Sequence, residues 1–114
     1  MATPEEKAVL PIYDQYQIPK AVIFGMRKAE GGIIGKNNVF NIGAYDSNPN
    51  TAINYASKEE GAVAIAKLLN GTFKKSDGVI DNKYKSAWEN RDNPVKMLKM
   101  IEKAGFAGPP ATWV

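Results

Sequence analysis

A helix start and a helix stop bracket an apolar run near the middle of this chain. In Ser57-Lys58-Glu59-Glu60 a hydroxyl stands where it accepts from the backbone N–H three residues on, and a carboxylate stands where it reaches back. Ala62, Val63, Ile65, Ala66, Leu68 and Leu69 follow, and Asn70-Gly71 supplies the left-handed stop. The same punctuation recurs on either side. Thr3-Pro4-Glu5-Glu6 has the form of a cap, a proline at the first helical position and a closing acid, with Pro11 expected to limit that helix to a turn or two. Pro19 opens a segment in which Val22, Ile23, Met26 and Ala29 recur at helical spacing before Gly31-Gly32. Asp77-Gly78 and Asp81-Asn82 punctuate a polar connection, and Tyr84 and Trp88 share one face of a predicted helix. Asn93-Pro94 caps a last helix with Val95, Met97, Leu98 and Ile101 expected inward and Gly105 at its end. Beyond it, Pro109 and Pro110 bar a helical tail. No period-two strand and no internal repeat stands out, so the expected fold class is all-α or mostly so, with little or no β-sheet.

With 114 residues the chain fits one domain, 1–114. Its composition, 44% hydrophobic and 24% charged, is that of a globular protein, which argues against disorder. Having no cysteine and no histidine, it cannot build a disulfide, a thiolate zinc site, a cysteine nucleophile or a serine triad. Acid/base chemistry falls to carboxylates, Lys or Tyr, and neither a metal nor a cofactor is expected. Acids and bases balance up to Ser57, so the whole net charge of +3 lies beyond it. Met1-Ala2-Thr3-Pro4-Glu5-Glu6 carries neither a basic nor an apolar leader region, and no apolar run reaches the ~20 residues that span a bilayer. Neither a signal peptide nor membrane insertion is expected.

Between Ile33 and Asn54 there is no clean periodicity; Gly35, Gly43, Pro49 and a series of asparagines mark irregular backbone of a length that usually carries function. Glu30 stands just before it, at the end of an apolar helix. Apolar neighbours raise a carboxyl pKa, and a proton donor to a glycosidic oxygen must hold its proton. A purely solvated helix end would favour Lys over Glu, because a carboxylate there meets the negative end of the dipole.

Ala29-Glu30-Gly31-Gly32, followed by the run from Asn37-Asn38-Val39-Phe40 through Asn41-Ile42-Gly43-Ala44 to Tyr45-Asp46-Ser47-Asn48-Pro49, resembles peptidoglycan hydrolases of the lysozyme-like superfamily, especially N-acetylglucosaminidase-type autolysins of bacteria and phages. There a helix ends in a catalytic Glu, and an Asn-Asn-Leu-Phe-Gly-Ile-type loop comes a few positions later. The stretch beginning Tyr55-Ala56-Ser57 resembles the family's next helix start, and Ala104-Gly105-Phe106-Ala107 its closing Ala-Gly-Tyr-Ala segment. The likeness runs from about Pro19 to Pro110.

The resemblance implies a compact lysozyme-like domain in which Glu30 protonates the scissile β-1,4 bond between amino sugars. It implies that Phe40, Ile42 and Gly43 shape the floor of a glycan cleft. Asn41 replaces the family's Gly and is a candidate sugar contact, and Phe106 replaces a Tyr. Many relatives carry a second Glu on a β-hairpin after this loop, for which the present chain has no room. Asp46 is the only acid between Glu30 and Glu59; it is the candidate second carboxylate, against an Asx-turn role in Asp46-Ser47-Asn48-Pro49. That shortage favours single-acid chemistry, open between the lytic transglycosylase route and substrate-assisted hydrolysis through the acetamido group.

Tyr45, Tyr55, Tyr84 and Trp88 are candidates to stack on sugar rings, with core packing the favoured reading of Tyr84 and Trp88. Lys74, Lys75, Lys83, Lys85 and Arg91 form a loose basic cluster. The expected partner is the peptidoglycan glycan strand at the bacterial wall. The chain is expected to act as a monomer, within a phage or wall-hydrolase assembly, or as an excised domain. A nucleic-acid role is disfavoured because Glu59, Glu60, Glu89 and Asp92 interrupt the cations. The other competing reading is a glycan-binding or virion module without turnover.

Overall fold

The computed structural model describes residues 4–29, 55–75 and 77–104. They form a mostly helical, compact globule with one two-stranded ribbon. The order is α1 (Pro4–Gln15), α2 (Lys20–Ala29), α3 (Lys58–Asn70), β1 (Phe73–Lys74), β2 (Ile80–Asp81), α4 (Lys85–Glu89) and α5 (Pro94–Lys103). The cap at Thr3, the stop at Gly31-Gly32, the irregular stretch 33–54, Gly105 and the tail lie outside the described residues.

The central helix is α3. Ser57 caps it by accepting from the Glu60 N–H at 3.1 Å, while the Glu60 carboxylate accepts from the Ala56 N–H at 3.2 Å. This is the expected capping box with its return bond moved back one residue. Gly61, Ala62, Ala64, Ile65, Ala66, Leu68 and Leu69 are buried, and α1 and α4 pack against the helix. Gly71 ends it in the left-handed region at φ 82°, and the Thr72 N–H donates to the Lys67 carbonyl at 2.9 Å. A Cβ at Gly71 would stand 2.8 Å from that of Lys85, so conformation and space both demand glycine.

Contrary to the sequence expectation, α1 runs straight through Pro11. A proline inside a helix costs roughly 3 kcal/mol. Val9 and Tyr13 are buried on either side of it, and burying two such side chains returns roughly 3 to 6 kcal/mol. Pro11 itself faces solvent. The helix ends in a Schellman motif: the Ile18 N–H donates to the Tyr13 carbonyl at 2.9 Å, the Gln17 N–H to that of Asp14 at 3.0 Å, and Ile18 joins Tyr13 in the core. The left-handed residue is Gln17, at φ 58°, where glycine would be usual.

Pro19 then opens α2 as expected, its carbonyl accepting from Val22 and Ile23. Val22, Ile23 and Met26 are buried, and α2 lies against α5. Their approach is close at Gly25, where a Cβ would meet Leu98 Cδ2 at 2.5 Å.

The little β-structure expected is one short ribbon, and the inward placement expected of Val95 is corrected. The connection after α3 contains an antiparallel ribbon pairing Phe73 with Asp81 and Lys74 with Ile80. Asp77-Gly78 makes its turn, with Asp77 accepting from the Val79 N–H at 2.9 Å and Gly78 at φ 86°. On α5, capped by Asn93 through the Lys96 N–H at 3.2 Å, Met97 and Ile101 are fully buried and Leu98 packs on the core, but Val95 is 65% exposed. Two positions before Met97 is more than half a turn round the axis, so Val95 points away.

Candidate functional site

The elements that lead into the candidate site are well defined. Through Val22, Ile23 and Met26, α2 is anchored in the core, and it is described as far as Ala29, the residue before Glu30. On the far side of the 30–54 segment, Tyr55 is half-buried against the core just ahead of the α3 cap. Burial raises its phenol pKa above the ordinary 10.0. Glu30, Phe40, Asn41, Ile42, Gly43, Tyr45 and Asp46 lie outside the described residues, so no geometry is assigned to them.

Of the aromatic candidates downstream, Tyr84 belongs to the core. It is 3% exposed at the N-cap position of α4, which leaves no ring face for a sugar. Its phenol is pushed strongly upward, first by burial and then by the negative charge of Asp81. Trp88 is half-buried and works as a clamp. Its indole N–H donates to the Tyr16 carbonyl at 3.3 Å, and the Arg91 guanidinium lies 3.9 Å from the ring centroid. Arg91 also donates to the Gln17 side-chain oxygen at 3.1 Å and to the Trp88 carbonyl at 3.2 Å. These bonds hold the left-handed corner between α1 and α2, and with it the start of α2. The buried ring of Tyr84 is thus core, and one face of the Trp88 ring is taken by Arg91.

The loose basic cluster also divides. Arg91 is committed to the clamp, and Lys83 pairs with Asp81 at 3.6 Å while its ammonium stands 5.5 Å from the Tyr84 ring centroid. Lys74, Lys75 and Lys85 remain exposed. Glu59 and Glu60 occupy the first turn of α3, where the dipole and the cap account for them. Among the described residues no group of three acids could hold a metal ion, and no helix is long and apolar enough to cross a membrane.

A second feature escaped the sequence reading. On α5 a groove of about 370 Å³ is lined by Asn93, Val95, Lys96, Lys99, Met100 and Lys103. The three lysines recur at steps of three and four, a signal visible in the sequence once α5 is known to expose that face.

Comparison with family models, with curated proteins and with solved structures returns no match for this chain.

Proposed function

We propose that this chain cleaves β-1,4 glycosidic bonds in the glycan strands of bacterial peptidoglycan, on a lysozyme-like helical domain, with Glu30 as general acid. The observation that carries the reading is the order of four segments along a mostly helical chain. Ala29-Glu30-Gly31-Gly32 begins at the last residue of α2, the Asn37–Pro49 stretch comes next, Tyr55 to Glu60 lead into α3, and Ala104-Gly105-Phe106-Ala107 comes after α5 in sequence. The broad buried side of α3 and the amphipathic packing of α5 support a rigid frame on which an irregular catalytic segment can be mounted.

The chemistry follows from the supply of acids. Glu30 in its protonated form gives its proton to the bridging oxygen as the C1–O bond breaks. With Asp46 the only acid between Glu30 and Glu59, the single-acid route is the simpler one. In it the muramoyl C6 hydroxyl attacks C1, the Glu30 carboxylate takes the hydroxyl proton, and a 1,6-anhydro end results. If a water replaces that hydroxyl, the product is a reducing end, and Asp46 or the substrate's acetamido group must assist. Phe40, Asn41, Ile42, Gly43, Tyr45 and Tyr55 are the side of the cleft in this proposal, and the site of action is the bacterial wall.

The test is mass spectrometry of the soluble products from purified peptidoglycan. The expected products carry 1,6-anhydromuramic ends. Reducing ends would move the mechanism to hydrolysis and make Asp46→Asn the next variant. No soluble product from several wall chemotypes would replace the enzyme by a glycan-binding module.

A further inference from the structure

We infer that the outer face of α5 is a docking strip for a linear phosphodiester polymer without bases, of the polyol-phosphate kind found in bacterial walls. Lys96, Lys99 and Lys103 are all exposed and line one groove with Asn93, Val95 and Met100. At 1.5 Å rise per residue they form a row roughly 10 Å long on one side of the helix. Among the described residues no ion pair engages any of the three, whereas Lys20 and Lys83 each have an aspartate within 4.0 Å. The nearest acid along the helix, Glu102, is half-buried; it lies about 100° round the axis from Lys103 and about 60° from Lys99, and no ion pair within 4.0 Å joins it to either.

Helix stability does not explain the row. Lys103 in the last turn suits the dipole, but Lys96 lies in the first turn, where a cation meets the positive end. In the first turn of α3 Glu59 and Glu60 offset Lys58, whereas in that of α5 no acid offsets Lys96.

The lining selects the class of polyanion. Single strands of nucleic acid are held by aromatic platforms as well as charge, and this groove has no aromatic residue. Its cations are lysines, point charges on flexible stems that follow isolated phosphates without a bidentate geometry. Val95, 65% exposed, and Met100 offer apolar surface to the carbon units between phosphates.

The choice of a wall polymer rests on the proposed function, but the test does not, because a polyol phosphate contains no amino-sugar bond to cleave. Binding of the whole chain to purified poly(glycerol phosphate) is measured by calorimetry across a salt series. Three phosphate contacts predict a log–log salt slope of about −2. Lys96→Gln/Lys99→Gln/Lys103→Gln is expected to lose about tenfold or more in affinity and most of that slope. The charge-matched Lys74→Gln/Lys75→Gln/Lys85→Gln stays within about twofold of wild type. The inference is overturned if the two triple variants lose affinity equally, if wild type shows no salt-sensitive binding, or if single-stranded DNA of equal charge binds more tightly. A chain that binds the polymer but releases nothing from peptidoglycan would overturn the glycosidase reading alone.

Discussion

Helices α3 and α5 begin alike and end in different service. Each has a side-chain cap on the N–H three residues on, from Ser57 in one and Asn93 in the other. In α3 most further signals agree with folding: Glu59 and Glu60 outweigh Lys58 in the first turn, Lys67 stands in the last, a broad apolar side is buried and a left-handed glycine stops the helix. In α5 only Met97 and Ile101 are wholly buried, the first turn carries Lys96 against the dipole, and Val95 is left in solvent. The contrast separates residues chosen for stability from residues that stability leaves unexplained, and the second kind marks a surface with a task.

Four measurements bear on that contrast, three of them on the stability side. Leu69→Ala, deleting a side chain with no exposure at all, should lower the unfolding free energy by about 3 kcal/mol, while Val95→Ala stays within about 0.5 kcal/mol. Urea titration reads both, and equal effects would erase the distinction. Gly71→Ala should cost about 2 kcal/mol, since it forces a side chain into the left-handed region and against Lys85.

Alkali probes the core in a third way. Tyr84 keeps its proton in the fold above the ordinary phenol value of 10.0. Its contribution is therefore intact below pH 10 and is lost as pH rises beyond it, because the unfolded chain gives up the proton first. The loss is about 1.4 kcal/mol per pH unit for one such group. In Tyr84→Phe the alkaline slope should shrink, and an unchanged slope would mean that other groups govern it.

The smallest expected effect is the most discriminating. Lys96→Glu should raise stability by a few tenths of a kcal/mol by matching the dipole, and at the same time weaken polyanion binding. A loss of stability would show that Lys96 serves the fold after all.

How much of this was legible in the sequence follows from the range of the forces. The cap, apolar run and stop of α3 are local, and Ser57, Glu60 and Gly71 can be read directly. Passage of α1 through Pro11 is decided by Val9 and Tyr13 against a distant helix, which no local rule conveys. Gln17 in a left-handed turn carries no glycine or asparagine to announce it, and its partner Arg91 lies far along the chain. The ribbon has strands of two residues, too short for alternation to show, although Asp77-Gly78 is its turn signal. Tyr84 and Trp88 were readable as sugar platforms or as core. Burial settles the first as core, and the Arg91 stack makes the second a clamp. At the candidate site, Glu30 and Asp46 are proposed from motif order, while the neighbouring Ala29 and Tyr55 have described backbone.

The central claim is that Glu30 delivers the proton. It is tested most directly by measuring soluble glycan released from peptidoglycan by wild type and by Glu30→Gln, with the folding of both checked by circular dichroism and urea titration. Release that falls by about three orders of magnitude or more in a variant of unchanged fold is the predicted result, as expected when the sole acid is lost. Equal release by the two proteins would contradict it.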